Sequence, residues 1–147
     1  MSAALNGGVP GSWPVASSIA ACSAAAVSSS PLAAANADEA IAADLQGAID
    51  AAADHEPGTP PFNDADKRFH QILAEAAGNE LLLAFTGWIL EVLQPQLIAK
   101  ISPRVDGAEI LRQHRDIQRA VRRRQSAGAE RAMRAHIAYL MDIQRDA

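Results

Sequence analysis

Apolar residues recur at helical spacing along most of this chain, and nowhere do β-branched residues alternate over the length of a strand. Between Ala37 and Ala53, the residues Ile41, Leu45, Ala48 and Ile49 fall on one modest face, which predicts a helix. His55-Glu56-Pro57-Gly58-Thr59-Pro60-Pro61 reads as a loop. Phe62, Phe69, Leu73 and Ala77 then mark a helix from about Phe62 to Ala77, with Asn63 or Asp64 as its cap. Gly78 is placed to end that helix in a left-handed conformation, and Asn79 to cap the next. Glu80 to Ile101 is the most apolar stretch, with Leu83, Trp88 and Leu90 on more than one side, as a central or interface helix requires. Pro95 should kink it and Ser102-Pro103 should end it. Asp106-x-x-Glu109 has the form of a capping box before a helix that reaches about Gln125. Ser126-Ala127-Gly128 reads as a break, followed by a last helix from Ala129 to Arg145. The expected fold class is all-α, an antiparallel helical bundle of about six helices.

Residues 1–37 carry no charged side chain and are rich in Ala, Ser and Gly, with Pro10, Pro14 and Pro31 as breaks. Three readings are open. The apolar middle and the small residues Ala33-Ala34-Ala35-Asn36-Ala37 suit a cleaved secretory signal, and Ile19-Ala20-Ala21-Cys22 suits a lipoprotein site. Both lack the Lys or Arg expected near the start. The third reading, which the rest of the chain favours, is an unusual first helix over about Val15 to Val27. Residues 1–14 are expected to be disordered, with one ligand-binding domain over 15–147.

Composition adds bounds. A chain of 147 residues suffices for one domain with a core. The net charge of −4 does not suggest a nucleic-acid binder. Most of the basic residues lie between Arg104 and Arg134, off the apolar stripe, and read as a solvated helix face. A lone cysteine, Cys22, excludes an internal disulfide and fits a reducing compartment. No stretch reads as a transmembrane helix.

Candidate chemistry concentrates in three stripes. Asp66 and His70 stand one helical turn apart on the face of Phe62, Phe69 and Leu73. His114 belongs to the stripe Ile110-His114-Ile117-Val121, and His136 to Met133-His136-Leu140-Ile143. A single inward histidine is usually a hydrogen-bonded core residue. Three imidazoles and a carboxylate aimed at one core could instead share a divalent cation, and the spacing alone weighs the two equally. His55, the remaining histidine, sits in the Pro/Gly-rich loop and reads as solvated.

Asp66-x-x-Phe69-His70-x-x-Leu73-Ala74-x-Ala76-x-Gly78-Asn79 resembles the central motif of the FCD domain, the all-helical effector-binding and dimerisation domain of FadR-subfamily, GntR-type transcription regulators. Gln113-His114-x-x-Ile117-x-x-Ala120-Val121 and Ala132-Met133-x-x-His136-Ile137 resemble its last two helices, so the likeness spans about residues 36–147. The resemblance implies a divalent metal on Asp66, His70, His114 and His136, and beside it a cavity for a small organic-acid effector. Three imidazoles favour zinc or nickel, and the carboxylate admits manganese. It further implies a cytoplasmic homodimer that is a sensor and not an enzyme. Many members place an arginine for the effector after the position of Gly78; here Gln96 or Lys100 would have to substitute. Residues 1–37, being uncharged, could not supply a winged helix-turn-helix, so this chain is expected not to bind an operator and to be an isolated sensor, a truncated product or a fragment. The rival class is a helical-bundle metalloenzyme using the same site, with Glu75 or Glu91 as conceivable bases, though no Glu-x-x-His pair accompanies them. A remnant that only dimerises is the third possibility.

Overall fold

A computed structural model describes residues 15–147, and every element in that span is helical. The expectation of disorder over residues 1–14 lies outside the described residues. Six helices follow in order: α1 Val15–Asn36, α2 Glu39–Ala52, α3 Pro60–Ala76, α4 Glu80–Arg104, α5 Gly107–Arg122 and α6 Ser126–Arg145. The bundle has its main core among α1, α2, α3, α5 and α6, built on Leu45, Ile49, Phe69, Leu73, Ile117 and Met133. Helix α4 closes a second side through Ile89, Leu93, Leu97 and Ile101.

From Val15 on, the uncharged segment forms a helix, as its third reading holds, but the helix continues past Val27 to Asn36 with Pro31 inside it. Pro31 can donate nothing to the carbonyl one turn back. Packing holds the helix through this gap: Ala33 and Ala34 are fully buried against the main core. The Ser29 and Ser30 hydroxyls satisfy themselves by donating to the carbonyls of Ala25 and Ala26, at 2.8 and 2.9 Å.

Helix α3 starts earlier than its apolar pattern predicts. Thr59 is its N-cap residue, and Pro60 and Pro61 occupy its first turn, where a missing N–H costs nothing. Neither Asn63 nor Asp64 caps it. Its end is as expected: Gly78 has φ +68°, and the Asn79 side chain accepts from the Leu82 amide at 3.0 Å. The Asn36 amide donates to the carbonyls of Ala76 and Ala77, tying the end of α1 to the end of α3.

Helix α4 does more than kink. Ile89–Leu93 is a π-helical turn in which the Gln94 amide reaches back to the Ile89 carbonyl. This wider turn comes immediately before Pro95, whose ring would otherwise press on the carbonyl of Glu91. By length and composition α4 is long and apolar enough to cross a membrane, against the reading of the sequence. Its apolar content divides between two sides. Ile89, Leu90, Leu93, Leu97 and Ile101 are buried in the domain, whereas Leu81, Leu83, Phe85, Trp88 and Val92 are exposed. Leu90, expected on an interface, therefore belongs to the interior.

The break before the last helix also moves. Helix α5 ends at Arg122, Arg124 takes φ +56°, and the Gln125 amide donates to the Ala120 carbonyl, a Schellman-type end. Ser126-Ala127-Gly128 is then the first turn of α6. Asp106 caps α5, accepting from Ala108 and Glu109. The second half of the capping box is missing, because the Asp106 amide donates to the Tyr139 hydroxyl instead. The arginines of α5 and α6 form a solvated, internally paired face: Arg112 with Glu109 and Asp116, Arg134 with Glu130.

Two glycines test the backbone account with opposite signs. Gly78→Ala forces a Cβ into the left-handed region and to 3.2 Å from Asn36 Nδ2, and should cost roughly 1–2 kcal/mol. Gly47 is exposed in the middle of α2, with nothing within 4 Å of an added Cβ. Gly47→Ala should therefore stabilise by roughly 0.5–1 kcal/mol. Urea denaturation of the two variants checks both signs.

Candidate metal centre

Helix α3 carries Asp66 and His70, α5 carries His114, and α6 carries His136. The bundle brings all four together. One ligand nitrogen from each of His70, His114 and His136 lies within 4.8 Å of the others. The Asp66 carboxylate stands 3.5 Å from His114 Nε2 and 3.9 Å from His70 Nε2. His114 and His136 are buried; His70 and Asp66 are nearly so. Fully buried Phe69 stacks its ring on His114 with centroids 4.0 Å apart, which fixes that imidazole from behind.

A hydrogen-bond chain sets the tautomer of His136. Arg112 and Gln113 donate to Glu109, in that order of effect, and hold its pKa down at about 2. Glu109 is therefore an acceptor only, so the Gln113 amide must turn its NH2 toward it, at 2.7 Å. The Gln113 carbonyl then faces His136 Nδ1 at 2.7 Å, and that nitrogen must carry the proton. His136 Nε2 is left with a free lone pair, buried and without a partner; His114 Nε2 is buried and unpartnered too. Orphaned ring nitrogens, one of them beside a carboxylate, are what a metal ligand set needs, with an outer residue orienting one of its imidazoles. On the other side, Gln94 donates to Asp66 Oδ2 at 2.8 Å.

Every buried group here is pushed toward its neutral form. Burial, then the neighbouring imidazoles of His136 and His70, hold the His114 pKa well below its usual 6.5. Burial, then His70, bring His136 to about 3. Burial raises the Asp66 pKa, opposed by His70 and by the Gln94 hydrogen bond. A cation at the centre would keep the histidines neutral and reverse the penalty on Asp66. Ligands at about 2.1 Å from one ion lie roughly 3–3.5 Å apart, a spacing the Asp66–His114 pair already has, while the nitrogens of the triad lie within 4.8 Å of one another. The residues present fit the group.

Beside the centre lies a cavity of about 110 Å³ between α1, α3, α4 and α6, with Asp66, His70 and His136 in its wall. The wall is otherwise largely apolar, with Ile89, Leu97, Ile101 and Leu140 prominent. Thr86 also lines it, and its buried hydroxyl has no partner. Cys22 reaches the wall as a thiol whose pKa burial pushes up to about 11. Gln96 and Lys100 are turned outward and do not reach this cavity; Gln96 donates to the Val92 carbonyl. Gln94, two residues earlier, takes the inward position instead. His55 is exposed in its loop, as expected.

A helical bundle with a buried histidine cluster opening onto an apolar cavity defines a small-ligand-binding domain. The FCD domain family matches residues 27–139, and the chain belongs to that family. FCD domains are effector-binding regulatory domains of GntR-type regulators. No curated protein matches the chain.

The pKa directions fix how stability depends on pH in metal-free protein. Unfolded histidines take up protons below about 6.5, while His114 and His136 in the fold resist. Their contribution is present above that value and is lost as pH falls toward the folded pKa, about 3 for His136. Asp66 runs the other way: its folded pKa is raised, so its ionised form costs stability at neutral pH. In chelator, the urea midpoint of the wild type should fall from pH 7 to pH 5, and the His114→Leu/His136→Leu double variant should fall less. Asp66→Asn should raise the midpoint at pH 7.

Proposed function

We propose that this chain senses a small organic acid through one divalent metal held by Asp66, His70, His114 and His136, as the regulatory part of a GntR-type transcription regulator. The observation that carries the reading is the pair of buried, unpartnered imidazole nitrogens, His114 Nε2 and His136 Nε2, in a cluster with His70, with the Asp66 carboxylate 3.5 Å from His114 Nε2. Zinc, nickel or manganese suits three imidazoles and one carboxylate. Bound metal supplies a positive charge for an anionic effector. The protein's own residues do the rest: Gln113 orients His136, Gln94 and Phe69 position Asp66 and His114, and α4 covers the cavity. The chain's net charge of −4 and the uncharged residues 1–37 support regulation without direct DNA contact by this segment, and the family and the lone Cys22 support a cytoplasmic setting.

Binding is favoured over catalysis. The carboxylates considered as bases stand outside: Glu75 is paired with Arg68, and Glu91 with Lys67. Purified protein should carry about one equivalent of metal. With metal at a hundred times its dissociation constant the fold should gain about 2.7 kcal/mol. His114→Ala should lose most of that gain and His55→Ala none of it. Elemental analysis and melting with metal or chelator decide; equal gains in wild type and His114→Ala would remove His114 from the site.

The exposed side of α4 is read as the homodimer face. Leu81, Phe85 and Trp88 are 79%, 40% and 48% exposed along one helix, too much apolar surface for a lone subunit. Light scattering should give a dimer at micromolar concentration, and Phe85→Glu/Trp88→Glu should give monomer with an unchanged helical spectrum. A wild type that stays monomeric would contradict this.

A further inference from the structure

We propose that the cavity selects a monocarboxylate with an apolar body and excludes dicarboxylates, tricarboxylates and polyhydroxy acids. The inference rests on the metal-site reading and adds the class of effector. It follows from counting charge among the residues that line the cavity. Among the described residues lining the cavity there is no Lys or Arg, and Asp66 is the only carboxylate. The nearby cations are engaged outside it: Lys67 with Glu91, Arg68 with Glu75, and Lys100 is exposed.

A divalent ion, one carboxylate and three neutral imidazoles leave a single net positive charge. One carboxylate from the ligand brings the site to neutrality. A second would be buried against Ile89, Leu97, Ile101 and Leu140 with no cation to meet it, and an unpaired buried charge is strongly disfavoured. The same wall is mostly apolar and, apart from Asn63 and Ser102, offers few free hydrogen-bonding groups for the hydroxyls of a sugar acid. Asp66 already accepts from Gln94, and the Ser29 hydroxyl is spent on the Ala25 carbonyl. The unpartnered Thr86 hydroxyl can meet one further polar group of the ligand, such as a hydroxyl or a carbonyl.

The test is isothermal titration of zinc-loaded full chain with butanoate, pentanoate and benzoate, with succinate, citrate and gluconate, and with butanamide as the neutral counterpart. Bound zinc is measured in the same samples. The monocarboxylates should bind about tenfold or more tightly than succinate, citrate or gluconate, and butanamide should not bind. Succinate or citrate binding as well as butanoate would overturn the proposal, as would butanamide matching butanoate. Loss of acid binding in a protein that holds one zinc would overturn it while leaving the metal site intact. A protein that takes up no zinc would overturn the metal reading itself, and this proposal with it. Leu97→Lys places a cation in the wall and should shift preference toward succinate; a Leu97→Met control checks that the fold tolerates change there.

Discussion

The constraint on which this structure turns is the burial of one carboxylate and three imidazoles in a common space with too few partners. An unpaired buried carboxylate is costly, and a buried imidazole nitrogen without a hydrogen bond forfeits its hydration. Natural cores do not keep such groups together without a reason. Here Asp66 has one hydrogen bond, from Gln94, while His114 Nε2 and His136 Nε2 have none. A cation at the centre would satisfy all of them at once.

The bundle exists to hold that arrangement. The four clustered side chains come from three different helices, so their mutual distances depend on how α3, α5 and α6 pack on Phe69, Leu73, Ile117 and Met133. Helix α1, made of small residues, lets its neighbours approach closely along Ala33 and Ala34. Helix α4 forms the lid of the cavity, and its π turn sets which side chains look inward. Metal binding and interhelical packing are therefore coupled: ion binding should tighten the bundle, and loosening a ligand helix should weaken the ion's hold.

The sequence revealed the periodic and chemical features, and hid those decided by packing. The three stripes, the inward Asp66, His70, His114 and His136, the left-handed Gly78 and the Asn79 and Asp106 caps all follow from local rules. Pro31 inside α1 did not, because tertiary burial of Ala33 and Ala34 outweighs one missing hydrogen bond. Gln96 and Lys100 came from the family resemblance, as stand-ins for an arginine, and a resemblance does not give the register of this helix. The π turn at Ile89–Leu93 shifts that register and brings Gln94 to Asp66. Gln113 was legible only in part: it stands four residues after Glu109, but its bond to His136 joins separate helices. Exposure of Leu81, Phe85 and Trp88 together with burial of Leu90 likewise depends on which side of α4 the bundle covers.

The central claim is a mononuclear site made by these particular side chains, and X-ray absorption at the metal edge of zinc-loaded protein tests it directly. The account predicts three imidazoles and one carboxylate oxygen at roughly 2.0–2.2 Å, with one imidazole lost in His136→Ala. A spectrum dominated by water or sulfur, or one unchanged in His136→Ala, would contradict it.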